Sequence, residues 1–377
     1  MPKVKLGDVA KEYKSTIKEH AGLPIVGLEH MDPGELVLSS YEMNDEKSFS
    51  KGFKKGQILF GRRRAYLKKA AIAPFDGVCS GDIIVIEAIE SKIMPELLPF
   101  IIQNDLLFDF AMSKSAGGMS PRVKWKDLKE YEFDLPEMED QPRLLNVIKS
   151  AHDVRLSYKN LLQSIDDLVK SQFIEMFGVP GEDTKGWGIT TLGKCCKLNP
   201  RRPKGIDDEL MVSFVPMPAV SEDGHMDCTD IKPYKEVKKG FTYFAENDVL
   251  FAKITPCMEN GKGAVAEGLA GGIGSGSTEF HVLRPIEGVS NPYWLYIITM
   301  FDAFRKGARR VMTGTGGQLR VPVGFLDEYP ISLPPIELQN EFECFVRQSD
   351  KSKFELKQAM DSIDDFIKTV VRNGLNR

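Results

Sequence analysis

The sequence predicts a duplicated α/β fold of mixed α+β type. Two variable domains related by pseudo-two-fold symmetry are separated by two long antiparallel coiled-coil helices. Three observations predict it: the chain repeats itself at a fixed offset, each repeat ends in a heptad-patterned stretch, and the rest consists of short β-like runs.

The repeat comes first because it sets the frame for everything else. Shifting the sequence by 198 positions aligns Arg122–Lys170 with Arg320–Lys368 without a gap, and 15 of these 49 positions are identical. SIDDLVK (164–170) meets SIDDFIK (362–368), and Leu135, Pro136 and Gln141 meet Leu333, Pro334 and Gln339. Upstream the same order recurs with gaps: LGDVAKEYK (6–14) answers LGKCCKLNP (192–200), and GQILF (56–60) answers NDVLF (247–251). The unit is a variable domain followed by a more constant tail. The predicted segments are therefore a first domain (1–140), a central long helix and linker (141–186), a second domain (187–338) and a second long helix (339–377).

The tails read as helices by their apolar spacing. Leu144, Ile148, Ala151, Tyr158, Leu162, Ile165 and Val169 step by threes and fours apart from one break, as do Phe342, Val346, Ser349, Leu356, Met360, Ile363 and Ile367. The stripe is broken at the same place in both copies, by Arg155 and by Lys353. Four heptads in matched register favour helix against helix over docking of each tail on its own domain. A run of roughly 35 residues gives a rod of about 50 Å. In the variable domains, GDIIVIEA (81–88) and TEFHVLRP (278–285) read as strands. PELLPFIIQNDLLFDFAM (95–112) and NPYWLYIITMFDAFRKGA (291–308) read as helical, and the glycine-dense AGGIGSGST (270–278) as a turn.

The composition is that of a globular protein, 42% hydrophobic and 28% charged, with length enough for two cores. No apolar run is long enough for a bilayer, and the amino terminus lacks a signal-peptide pattern. Six scattered cysteines without a CxxC pair suit a reducing cytoplasm, and neither they nor the five histidines have ligand spacing, so no metal is expected. Enzyme motifs fail as well. Asn199-Pro200-Arg201 and Asn291-Pro292-Tyr293 are fragments of an adenine-methyltransferase motif with no Gly-rich cofactor loop beside them. Asp166-Asp167 and Asp364-Asp365 lie on helices, where adjacent residues face different ways; solvated or inter-helix roles suit them better than catalysis. No catalytic residue is assigned.

The net charge of −4 does not mark a nucleic-acid binder, but charge is clustered: residues 51–70 hold eight Lys or Arg and no acid. Arg62, Arg63 and Arg64 leave the strand QILF, followed by Tyr66, Lys68 and Lys69. Arginines at a strand exit beside an aromatic ring can reach guanine edges and phosphates. The matching exit in the second repeat carries Lys253 and Thr255, and such divergence suits a reading surface better than a structural loop. A second candidate is the loop pair 116–126 and 313–322. There Met119, Ser120 and Gln318 can reach base edges, and Arg122, Lys124 and Arg320 phosphates. An ordinary turn before a Leu-Pro strand exit explains these loops equally well. Arg201, Arg202, Lys204, Arg309 and Arg310 add charge to the second domain.

These features resemble the specificity subunits of type I restriction–modification systems over nearly the whole chain. ILFGRRRAYLKKAAIAPFDGVCSGDIIVIEA (58–88) and DVLFAKITPCMENGKGAVAEGLAGGIGSGSTEFHVLRP (248–285) look like that family's target-recognition domains. The Leu-Pro-x4-Gln stretches at 135–141 and 333–339, and SQFIEMFG (171–178), look like its helical regions. The resemblance implies that each domain reads half of a bipartite double-stranded DNA site, with the helices as a ruler. It also implies that two methyltransferase subunits, which bind S-adenosylmethionine, and restriction/translocase subunits using ATP and Mg join the chain. No cofactor is then expected in this chain. A coiled-coil interaction scaffold without DNA binding is the alternative, and a cryptic methyltransferase a weaker third.

Overall fold

The structure, a computed structural model, describes residues 2–17, 22–43, 49–117 and 120–373. The chain forms two compact units: residues 1–160 with 357–377, and residues 161–356. Each long helix contributes a part to each unit. This differs from the segments drawn on the sequence, which kept helices apart from domains. The reason is packing: each helix segment buries its apolar stripe in the domain it meets.

In the first unit a four-stranded antiparallel sheet has the order Ala10–Glu12, Ile83–Ala88, Ile58–Gly61, Ala70–Ile72. Beside it, Gly77–Cys79 pairs in parallel with Ile25–Val26 and antiparallel with Lys51–Phe53. The strand IIVIEA is buried along its first four residues, as its β-branched run requires. The second unit repeats this plan. Its antiparallel sheet runs Cys196–Leu198, Phe280–Pro285, Val249–Ala252, Gly263–Val265. Its second sheet runs Ile231–Pro233, Met211–Val215, Ile273–Gly276, Thr242–Ala245, with the middle pair parallel. The duplication is thus structural as well as sequential.

Two local expectations are corrected. Residues 270–278 supply a strand, not a turn. A side chain on Gly274 would overlap the Phe244 ring, and one on Gly276 would meet the Val215 carbonyl, so only glycine lets these strands close. The two helical stretches are each broken in two: Leu98–Ile102 and Asp105–Ser113, then Pro292–Thr299 and Asp302–Arg310. Asn104 starts a new helix by accepting the Leu106 amide, and Asn291 caps the other pair through Tyr293.

The long helices are Gln141–Phe177 and Ile336–Asn373. The first carries Pro142 in its opening turn and stops at Gly178, whose φ of +86° is a helix-ending conformation natural to glycine. The predicted stripe is the inward face of both. In the first unit, Leu144 and Ile148 share a core with Val370 and with the flanking Ile367. In the second, Val169, Phe173 and Phe177 share one with Phe342 and Val346, the Phe342 ring centroid lying 5.3 Å from that of Phe177 and 5.4 Å from that of Phe173. Tyr158, Leu162, Ile165, Leu356, Met360 and Ile363 are half-buried. In both units an early stretch of one helix lies against a late stretch of the other, which is antiparallel pairing. Docking on the domain and pairing of helices, set against each other on the sequence, therefore occur together.

The polar breaks in the stripe are ion pairs. Arg155 meets Asp364 at 2.6 Å in the first unit, and its repeat mate Lys353 meets Asp166 at 3.1 Å in the second. Each helix start is also tied to its domain by a buried glutamine. Gln141 accepts the Met94 amide and donates to Lys92 and Pro136; Gln339 accepts the Asn291 amide and donates to Val289 and Pro334.

Candidate nucleic-acid interface

The two stretches singled out in each repeat lie side by side. In the first unit the chain leaves the strand Ile58–Gly61 through Arg62, Arg63 and Arg64. The Arg62 amide donates to Asp82 O, Val123 N donates to Arg62 O, and Arg64 N donates to Pro121 O. Arg63 and Arg122 thus form an isolated antiparallel bridge. The second unit reproduces these bonds: Lys253 N to Glu279 O, Val321 N to Lys253 O, Thr255 N to Leu319 O, with Ile254 bridged to Arg320. The frame is made by the main chain, so side chains on it can change without dismantling it.

A carboxylate closes each frame. Asp82 binds Arg122 at 2.6 Å and Arg63 at 3.4 Å, and Glu279 grips Arg320 through two bonds of 2.8 and 2.9 Å. These arginines hold both carboxyl groups below the usual carboxylate range. Sequence reading missed both acids because they lie 40 and 41 residues from Arg122 and Arg320, and Asp82 19 from Arg63, at the start of another strand. The expectation that Arg122 and Arg320 rest on phosphates meets this geometry: both guanidiniums already hold a carboxylate, while remaining partly exposed.

The other candidates divide by what occupies them. Arg64 and Tyr66 are exposed, and Arg64 and Lys68 both adopt left-handed backbone at φ near +50°, a strain that concentrates at binding sites. Arg63 donates to Ser120 at 3.1 Å, and Nε of Arg62 and of Arg63 is buried with no partner among the described residues. Lys68 binds Asp105 at 2.6 Å, and Lys69 donates to Leu28 O at 2.8 Å. Met119 lies outside the described residues. Lys124 is exposed. In the second unit Thr255 is committed inside the protein, its hydroxyl donating to Gly317 O and accepting from Leu319 N. Lys253 is half-buried, and burial lowers its pKa. Gln318 and Arg310 are exposed, and Arg309 pairs with Glu259. Arg201 and Lys204 are exposed, whereas Arg202 lies over the Tyr234 ring.

Glu29, His30 and Glu42 bring ligand-type atoms within 4.8 Å of one another, a cluster that spacing did not reveal. His30 Nδ1 accepts the Gly27 amide, which puts the neutral ring's proton on Nε2, facing Glu42 at 3.4 Å. A protonated nitrogen is a donor to that carboxylate and not a metal ligand.

The family model for the type I restriction modification DNA specificity domain matches residues 2–162 and 185–361. The chain belongs to this family. The specificity subunit of the Escherichia coli type I restriction enzyme EcoAI is 38% identical over 198 residues, 51% of this chain and 33% of that protein. The EcoEI specificity subunit of the same organism is 44% identical over 158 residues, 41% of this chain and 26% of that protein. These alignments span about a third or less of the curated relatives. Among solved structures, the HsdS subunit from Thermoanaerobacter tengcongensis aligns over 99% of this chain and 96% of its own at 21% identity and TM-score 0.39. The type I S subunit from M. genitalium aligns over 100% and 96% at 11% identity and TM-score 0.47. Among the described residues of this specificity-family chain, no helix is long and apolar enough to cross a membrane.

Proposed function

We propose that this chain is the sequence-specific double-stranded DNA-binding subunit of a type I restriction–modification complex. It reads a bipartite site in the cytoplasm and recruits adenine methyltransferase and restriction subunits. The observation that carries the reading is the matched pair of main-chain frames bearing unmatched side chains: Arg62, Arg63 and Arg64 in one, Lys253, Ile254 and Thr255 in the other. A constant frame with variable side chains is what reading two different half-sites requires. The chain itself supplies no catalytic group. S-adenosylmethionine, ATP and Mg enter with the partner subunits.

Recruitment of one partner twice has its own support. Leu156 and Phe354 are 44% and 59% exposed, and Leu168 and Phe366 53% and 48%. Each pair is related by the 198-residue offset. Apolar residues kept outside at repeat-equivalent positions suit two copies of the same subunit. The test is binding to duplex DNA at low and high salt, with the methyltransferase subunits present. A reader making several phosphate contacts loses affinity steeply as salt rises. An affinity unchanged by salt would instead support the coiled-coil scaffold. Changing Arg62, Arg63 and Arg64 together to Ala should abolish modification of one half-site and spare binding by the other.

A further inference from the structure

The segment Thr313–Arg320 is a two-stranded ribbon, Thr313–Thr315 against Gln318–Arg320, turned by Gly316 and Gly317. Both glycines have positive φ, +63° and +77°, as the tight two-residue hairpin requires. The first strand is exposed along its whole length, and the second is exposed or half-buried, so the ribbon does not serve the core. Strand alternation and the register Thr313↔Arg320, Thr315↔Gln318 put four hydrogen-bonding side chains on one face. Gly314 and Leu319 occupy the other.

The ribbon is rigidly founded. At its base Arg320 is held by Glu279, and near its tip the Thr255 hydroxyl bridges Gly317 and Leu319. It is also flanked by cations. The helix Asp302–Arg310 runs into it carrying Lys306, Arg309 and Arg310 on exposed turns, with no acid after Asp302. A polar, side-chain-free tip on a pinned ribbon beside a basic helix end fits a polyanion with a groove. The major groove of double-stranded DNA admits a two-stranded ribbon of this kind.

We infer that Thr313–Arg320 enters the major groove of double-stranded DNA, with Gln318 and Thr315 reading base edges and Thr255 and Glu279 as positioning residues. The inference rests on the proposed DNA-reading function and deepens it. Gln318 is matched to adenine, whose N6 donor and N7 acceptor meet an amide through two bonds. Thr313 and Thr315 were not visible as candidates in the sequence, since only the ribbon's register places them beside Gln318.

The test uses the full chain assembled with its methyltransferase subunits on a randomised duplex library, reading methylated adenines and the bases around them. Gln318→Ala should lower discrimination at one position of one half-site by about tenfold to a hundredfold, leaving the other half-site unchanged. Gln318→Arg should move that position's preference from adenine toward guanine. A uniform fall in methylation with every base preference intact would overturn base reading by the ribbon in favour of a phosphate contact. So would an unchanged profile, or altered preferences in both half-sites. A wild-type assembly with no base preference at all overturns the underlying DNA-reading function as well, and is thereby distinguished from a failure of the ribbon alone.

Discussion

The two variable domains share a skeleton and differ in what they hang on it. Where the first has Gln57 donating to Glu87, the second has buried Asp248 gripped by Arg284 through two 2.7 Å bonds. Where the first places Arg63 beside Ser120, the second places Ile254 beside a ribbon one residue longer between its bridged ends, Thr313 to Arg320 against Ala116 to Arg122. What does not differ is the main-chain bonding between strand exit and return loop, and a carboxylate bound to an arginine. The comparison teaches that constancy lives in backbone hydrogen bonds and divergence in the side chains they display.

The largest difference between the domains should appear when their inner supports are cut. Asp248→Ala strands Arg284 and removes the acceptor of the Ala245 amide; breaking a buried pair of this kind costs about 3 kcal/mol. Gln57→Ala removes the acceptor of the Lys54 amide and one donor to the half-buried Glu87 carboxylate, and should cost about 1 to 2 kcal/mol. Hydrogen exchange of Val249–Ala252 and of Ile58–Gly61 reports each loss in its own domain. Equal losses would break the comparison.

A smaller effect probes the frame itself. Asp82→Asn withdraws the charge shared by Arg63 and Arg122, a partly exposed arrangement worth about 1 kcal/mol or less. If the frame is carried by the main chain, the Arg64 and Val123 amides keep their exchange protection within that margin. Their full exposure would show that the side-chain clamp, and not the backbone, holds the loops together.

Much of this was legible in the sequence because periodicity and duplication are linear signals. The heptad stripe gave the inward face of both helices, and even its interruption at Arg155 and Lys353 proved regular, since each finds the first aspartate of an Asp-Asp pair. The first helix break was written in Asn104 but masked by the apolar residues around it, and the second, at Met300 and Phe301, carries no polar cap at all. The strand at Gly274 was hidden because its signal is the absence of a side chain where Phe244 must fit. The clamps at Asp82 and Glu279 were invisible for a different reason. A carboxylate that meets an arginine 40 residues away leaves no local pattern.

The smallest expected effect is a pH response confined to the second domain. His281 stands where the first domain has Ile84, opposite Phe251 as Ile84 is opposite Phe60. Its Nε2 donates to Val321 O at 2.8 Å and its Nδ1 accepts from Asn199, so both nitrogens are satisfied by the neutral ring. Burial lowers its pKa, and the nearby Lys253 does so further. With the folded value below the ordinary value of about 6.5, the unfolded chain binds the proton more readily. The stability this ring contributes is therefore complete above about pH 6.5 and is lost as acidification passes through the lower, folded value. Exchange protection around Val321 should accordingly weaken on mild acidification, and the same slope should disappear in His281→Gln. A slope that survives the substitution would place the titrating group elsewhere and leave the two domains alike in their response to pH.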